Sequence, residues 1–325
     1  VKRVTVLTSA VFSLLHFHGV EASVSDGKLR QHDKKNHSQI QGQTRPTIVV
    51  SAGGWGNVES KQIELLLSAV ASEILTHFPG KKLDPIIVSP SSHAPVVLYQ
   101  KGPRNEYQIL LAAKDQHWAE YIYEFSHELF HILAQYEYHA PPHHARHQWF
   151  EETLCETASL YMLKRFSLTW LQAPPLPGWR SYASEMQAFT RRALSDPHRQ
   201  LPTNVTFDQW FRDNGPSLIS KPYLREKNEL VANILLPFLE KNSDWRAIAY
   251  LNVNGPKGNS SFYDHLVHWY GATPVAHRYF VSEAIHLFRF KSPVDHAYAR
   301  AEAQVPLSSS GKLQSNEGPA GPTRH

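Results

Sequence analysis

Segment 116–136 constrains the fold more than any other part of the chain. Its apolar side chains at Trp118, Ile122, Phe125, Leu129, Ile132, Leu133 and Tyr136 are spaced as one face of a helix. Tyr121, Tyr123 and Phe130 widen that stripe. A helix apolar on most sides has to be buried, so the remaining chain must build layers around it. With 325 residues, 42% of them hydrophobic and 19% charged, the chain is long and apolar enough to do so. Inside this helix stands His127-Glu128-Leu129-Phe130-His131.

The spacing of that motif has a chemical reason. Two histidines four apart share a helical face, so both imidazoles can reach one metal ion. The glutamate beside the first histidine lies near the open coordination position, where it can take a proton from a water attacking a carbonyl. The chain holds 20 histidines, which raises the prior for a metal site. Its one cysteine, Cys155, rules out an internal disulfide, a cysteine-based zinc finger and an iron–sulfur cluster. Cys155 itself reads as a small core residue in an apolar helical setting. Basic residues (33) barely outnumber acidic ones (29), so no nucleic-acid footprint is expected. No G-x-S-x-G occurs, so a serine nucleophile has no support. Gly53-Gly54-Trp55-Gly56 follows a short β-branched run and reads as a turn, lacking the glycine and lysine pattern of a nucleotide loop.

A third metal ligand is expected from the next helix, 149–165. Glu151, Glu152 and Glu156 lie near its start. Glu152 and Glu156 are four apart and share a face, so one can bind zinc while the other steadies a ligating imidazole. Glu151 lies about 100° further around the helix. This assigns Glu152 as ligand, Glu156 as the residue behind a ligand, and Glu151 as outward-pointing.

Around these two helices the pattern gives strands at 47–50, 85–88, 95–99 and 107–113 and a helix at 60–78. Further helices are expected at 182–194, 206–213, 226–240, 244–253, 263–270 and 274–290. Strands crowd the first half and helices the second, an α+β arrangement of a mixed-sheet lobe packed on a helical lobe.

The chain resembles the gluzincin branch of zinc metallopeptidases, which carry HExxH and, about twenty residues later, a glutamate on the following helix. Trp149-Phe150-Glu151-Glu152-Thr153-Leu154-Cys155-Glu156 is similar to their W-x-x-E-G-x-A-E/S-type segment, with Thr153 for the glycine and Cys155 for the alanine. The resemblance implies a zincin-like N-terminal lobe (45–165) holding the active-site helix and a mostly α-helical C-terminal lobe (166–302). It implies one zinc ion on His127, His131 and Glu152, with Glu128 as general base. It also implies that the last strand, 107–113, lies beside the cleft and pairs with substrate backbone. Pro222-Tyr223-Leu224-Arg225-Glu226-Lys227 is similar in place and kind to the segment in which aminopeptidase-like members carry an oxyanion-stabilising tyrosine, which nominates Tyr223. His265, His268 and His277 are the other candidates for that donor. No G-x-M-E-N segment precedes the motif, so aminopeptidase activity is not implied.

Residues 1–22 read as a secretory signal: a basic start at Lys2 and Arg3, an apolar run to Phe17, and Val20-Glu21-Ala22 as the cleavage site. Residues 23–44 read as a polar linker and 303–325 as a Ser/Gly/Pro-rich tail. The expectation is an exported (secreted or periplasmic) zinc metallohydrolase acting on a peptide or protein, with no stable membrane span once the signal is removed. Two rival readings remain: a zincin-fold binding or assembly protein without catalysis, and a histidine-rich metal-binding protein whose HExxH is accidental. His139, His143, His144 and His147 read as part of a solvated, Pro-containing loop over the cleft; the alternative is that they bind metal adventitiously.

Overall fold

A computed structural model of the chain describes residues 46–139, 147–253, 255 and 260–290. The expected signal, linker and tail, and residues 140–146 of the His/Pro-rich loop, lie outside them.

Four short strands form one mixed sheet: β1 (Ile48–Val50), β2 (Ile86–Pro90), β3 (Val96–Val97) and β4 (Tyr107–Leu111), in the order β1-β2-β4-β3. β1, β2 and β4 run parallel, with Ile48 opposite Ile86 and Ile86 opposite Tyr107. β3 runs antiparallel to β4, Val97 facing Ile109. The side chains alternate as a pleated strand demands. Ile48, Val50, Ile86, Val88, Ile109 and Leu111 are buried, while Val49 between them is 45% exposed. The helices α1 (Ser60–Leu75) and α2 (Trp118–Leu133) pack on each other; α1 lies against β1, and α2 against β3 and β4. Their buried Ile63, Leu66, Val70, Ile122, Phe125 and Leu129 belong to the same core as the buried strand residues.

Pairing with substrate backbone, the role the resemblance implies for 107–113, needs a strand with a free edge, and β4 does not offer one. β4 is paired on both sides, and β3 forms the edge next to α2. The strand expected at 95–99 shortens to Val96–Val97, and it takes the edge in place of 107–113.

The remainder is helical: α3 (Gln148–Thr169), α4 (Ala183–Ser195), α5 (Phe207–Ser220), α6 (Arg225–Lys241), α7 (Phe262–Ala272) and α8 (Arg278–Leu287). Thr206 caps α5, its hydroxyl accepting the Gln209 N–H at 3.2 Å. Ser261 and Asp264 cap α7 reciprocally, at 3.1 and 2.9 Å. α3 is the central helix. It packs against α2, α4 and α6 and is buried nearly all round, from Gln148 to Leu160 without a break. The expected helix 244–253 is instead a 3-10 turn at Arg246–Tyr250. Trp245, stacked 3.8 Å from the His77 ring, donates its backbone N–H to the His77 carbonyl at 2.9 Å and pins the entry to that turn. Among the described residues no helix is long and apolar enough to cross a membrane.

Two contacts fix α2 against the sheet. After β1, Asn57 donates its N–H to Asp115 Oδ1 at 2.6 Å, and the backbone N–H of Asp115 donates to the Trp55 carbonyl at 2.7 Å. Gly56 sits between at φ +76°, where a Cβ would fall 2.2 Å from Asp115 Oδ1, so only glycine fits. At the end of β4, Glu124 Oε2 on α2 accepts the N–H groups of Ala112 (2.8 Å) and Ala113 (3.0 Å). Burial pushes the Glu124 carboxyl up to about 8 from an ordinary 4.5. The folded chain therefore holds that proton more tightly than the unfolded one. Its contribution to stability falls as pH rises from about 4.5 to about 8, and is level above that. Glu124→Gln keeps the acceptor oxygen and removes the titration. In denaturant melts it should match the wild type at the acid end of this window and be more stable at its alkaline end. A constant difference across the window would contradict this.

Candidate metal centre

α2 and α3 face each other, and their polar residues meet in the interface. His127 and His131 lie one turn apart on α2, their rings 5.0 Å apart. From α3, Glu152 Oε2 lies 3.4 Å from His127 Nε2 and 3.7 Å from His131 Nε2. Cys155, one turn further along α3, completes a group with His127 and His131 whose ligand atoms all lie within 4.8 Å of one another. All these side chains are buried except His127, which is 12% exposed.

A different carboxylate stands behind the far nitrogen of each imidazole. His131 Nδ1 pairs with Glu151 Oε1 at 2.6 Å. Glu151 Oε2 accepts from Asn252 Nδ2 at 2.8 Å, and Asn252 also donates to the Ala134 carbonyl at the end of α2, at 2.9 Å. With Nδ1–H donated to Glu151, His131 Nε2 is left as the lone-pair atom. Glu151 is thus 1% exposed and positions a histidine; the reading of it as outward-pointing is wrong. That reading assumed α3 has a solvent side near its start, and it has none.

His127 Nδ1 lies 3.7 Å from Glu156 Oε2. Glu156 Oε1 accepts from the Tyr123 hydroxyl and from Arg199 Nη1, the latter at 2.8 Å. Arg199 Nη2 accepts no proton but donates to the Tyr123 oxygen at 2.9 Å and lies 3.1 Å from Glu229 Oε1. Glu229 is also held by Arg225 Nε at 2.6 Å and by His198. Arg199 comes from the 3-10 turn Pro197–Arg199, between α4 and α5.

Burial opposes every charge here and the partners decide the outcome. Burial pushes the His127 imidazolium down, but Glu152 and Glu156 more than offset it, raising the group to about 9. Burial likewise pushes Glu156 up, and Arg199 with His127 reverses this, holding the carboxyl well below its usual range. Glu128 is raised by burial, an effect that His127 and His131 oppose; its carboxylate accepts the N–H of Val97 on β3.

Tyr223 sits close enough to Glu152 and His131 for their charges to act on its phenol, and it hydrogen-bonds Gln148. Burial, then Glu152, push it up to about 12. Tyr99, just past β3, feels Glu151, Tyr223, His131 and Glu152 as well, and is raised chiefly by burial. The other oxyanion candidates are engaged elsewhere: His268 Nε2 contacts the Val253 carbonyl at 3.0 Å and His277 Nδ1 contacts Asp244 at 3.1 Å. His265 packs against His147 and Phe262.

The donor set suits a metal ion. Buried polar atoms without a partner are costly, about 1–3 kcal/mol each. His131 Nε2 and Glu152 Oε1 are two such atoms, and both belong to this cluster. No protein-family model, curated protein or solved structure matches the chain. The fold and the site by themselves define an α+β protein with a buried His127–His131–Cys155 group able to hold a metal ion.

Proposed function

We propose that this protein is a zinc-dependent hydrolase of gluzincin type, acting on peptide bonds, with a zincin-like lobe around α2. The observation that carries the reading is the convergence of His127 Nε2, His131 Nε2 and Glu152 Oε2. Their separations from Glu152, 3.4 and 3.7 Å, are close to the roughly 3.3 Å between two ligands on a tetrahedral zinc. Glu156 and Glu151 stand behind the two histidines, as imidazole ligands require.

Held there, zinc supplies Lewis-acid activation of a water molecule and of a carbonyl. The chain's own groups supply the rest. Glu128, steadied by the Val97 N–H, takes a proton from the attacking water and passes it to the leaving amine. Tyr223 donates its phenolic hydrogen to the oxyanion that develops on the substrate carbonyl. β3, the edge strand next to α2, takes the role of pairing with extended substrate backbone. No side chain is acylated, since water is the nucleophile.

Elemental mass spectrometry of the purified protein tests the ligand set. One zinc per chain is expected, retained through dialysis by the wild type and lost by His131→Ala and Glu152→Ala. Zinc content unchanged in both variants would reduce the HExxH to an accident of a histidine-rich sequence.

A further inference from the structure

Cys155 and Glu152 are three residues apart on α3 and present two different donors to the same pair of imidazoles. The Cys155 sulfur lies within 4.8 Å of the ligand atoms of both histidines. His131, a side chain with no exposure, faces the thiol closely enough for the two groups to interact, and its Nε2 makes no hydrogen bond of ordinary geometry that would hold it away from an ion. We propose that Cys155 is a fourth protein ligand to the ion held by His127, His131 and Glu152, competing with water for the last coordination position. This rests on the reading of those three residues as ligands.

Two imidazoles, a carboxylate and a thiolate form a donor set for zinc or cobalt(II), and a poor one for magnesium or calcium, which take oxygen ligands. A thiol that ligates such an ion gives its proton to solvent, and takes one back when water displaces it. Four protein donors leave a tetrahedral ion no open position. Hydrolysis then proceeds from the fraction of molecules in which the thiolate has left the ion. The small residue that the resemblance places at this position has no donor atom, so this competition belongs to the present chain.

Cobalt(II) titration of the zinc-free full-length protein tests the proposal without any variant. One equivalent should bind with visible ligand-field bands and a near-ultraviolet thiolate-to-cobalt charge-transfer band. Cys155→Ala and Cys155→Ser should keep the visible bands and lose the near-ultraviolet one. They should hold zinc at least tenfold more weakly against a chelator, yet hydrolyse peptide faster when saturated with zinc. One cobalt bound by the wild type without the charge-transfer band would overturn the role of Cys155 and leave the hydrolase reading standing. Failure to bind cobalt or zinc at all would overturn both. Slower hydrolysis by zinc-saturated, folded variants would overturn the competition with water.

Discussion

Glu128→Gln is expected to keep one zinc per chain and to lose peptide hydrolysis by a factor of roughly 10²–10⁴, the usual worth of a positioned general base. The substitution is close to isosteric. It leaves His127, His131 and Glu152 in place and removes only the group that can accept a proton beside them. The loss should fall on kcat, because the proton moves in the transition state and not on binding. A peptide-cleavage assay paired with metal analysis separates the rival readings. A binding or assembly protein keeps both its zinc and its function in this variant. A protein that merely collects ions on scattered histidines shows several loosely held metals, and the substitution changes nothing.

Arg199→Ala should be the most damaging single change outside the metal donors. Arg199 bridges Glu156 and Glu229 with its two terminal nitrogens, Nη1 and Nη2, and braces the Tyr123 hydroxyl. Removing one side of a buried ion pair leaves the other charge uncompensated and costs about 3–5 kcal/mol. Chemical denaturation should show that loss near neutral pH. The pH dependence gives a further check. Glu156 is held below its unfolded value, so its contribution is present above the ordinary carboxylate range and is lost as pH falls toward the folded value. The gap between wild type and variant should therefore narrow in acid. Zinc affinity should also fall, by about 10–100-fold, because Glu156 is no longer fixed behind His127. Arg199→Lys keeps the charge without the fork and should fall between the two. A variant as stable as the wild type, with unchanged zinc affinity, would mean that the buried network is not what orients His127.

How much of this was legible in the sequence depended on distance along the chain. The α2 helix, its HExxH and the pair Glu152 and Glu156 follow from periodicity alone, because helical spacing converts four residues into one turn. The α+β division was equally readable from where strands and helices crowd. Glu151 was misread because periodicity tells which residues share a face, but not whether the opposite face meets solvent. α3 is enclosed by α2, α4 and α6, so a carboxylate turned about 100° from Glu152 still finds an imidazole. Arg199 and Asn252 carried no local signal at all. Each sits in or beside a 3-10 turn and reaches its carboxylate across 43 and 101 residues of chain respectively. Cys155 looked like ordinary core filler, since nothing in its neighbours says that two imidazoles face it from another helix. The sheet order was hidden for a similar reason: the pattern marks the strand at 95–99 but not that it folds back to the outer side of β4.

The clamp from Asn252 to Glu151 also bears on the order in which the molecule is made. Both histidines and every carboxylate around them have left the ribosome long before residue 252 is added. Until then His131 has its carboxylate partner, but the bonds from Asn252 to that partner and to the Ala134 carbonyl at the end of α2 are still to be made. A nascent chain therefore displays the complete signature of the site well before it can hold the signature rigid. The last of these braces forms once the chain beyond α6 has been added and has docked beside the end of α1 through Trp245 and His77.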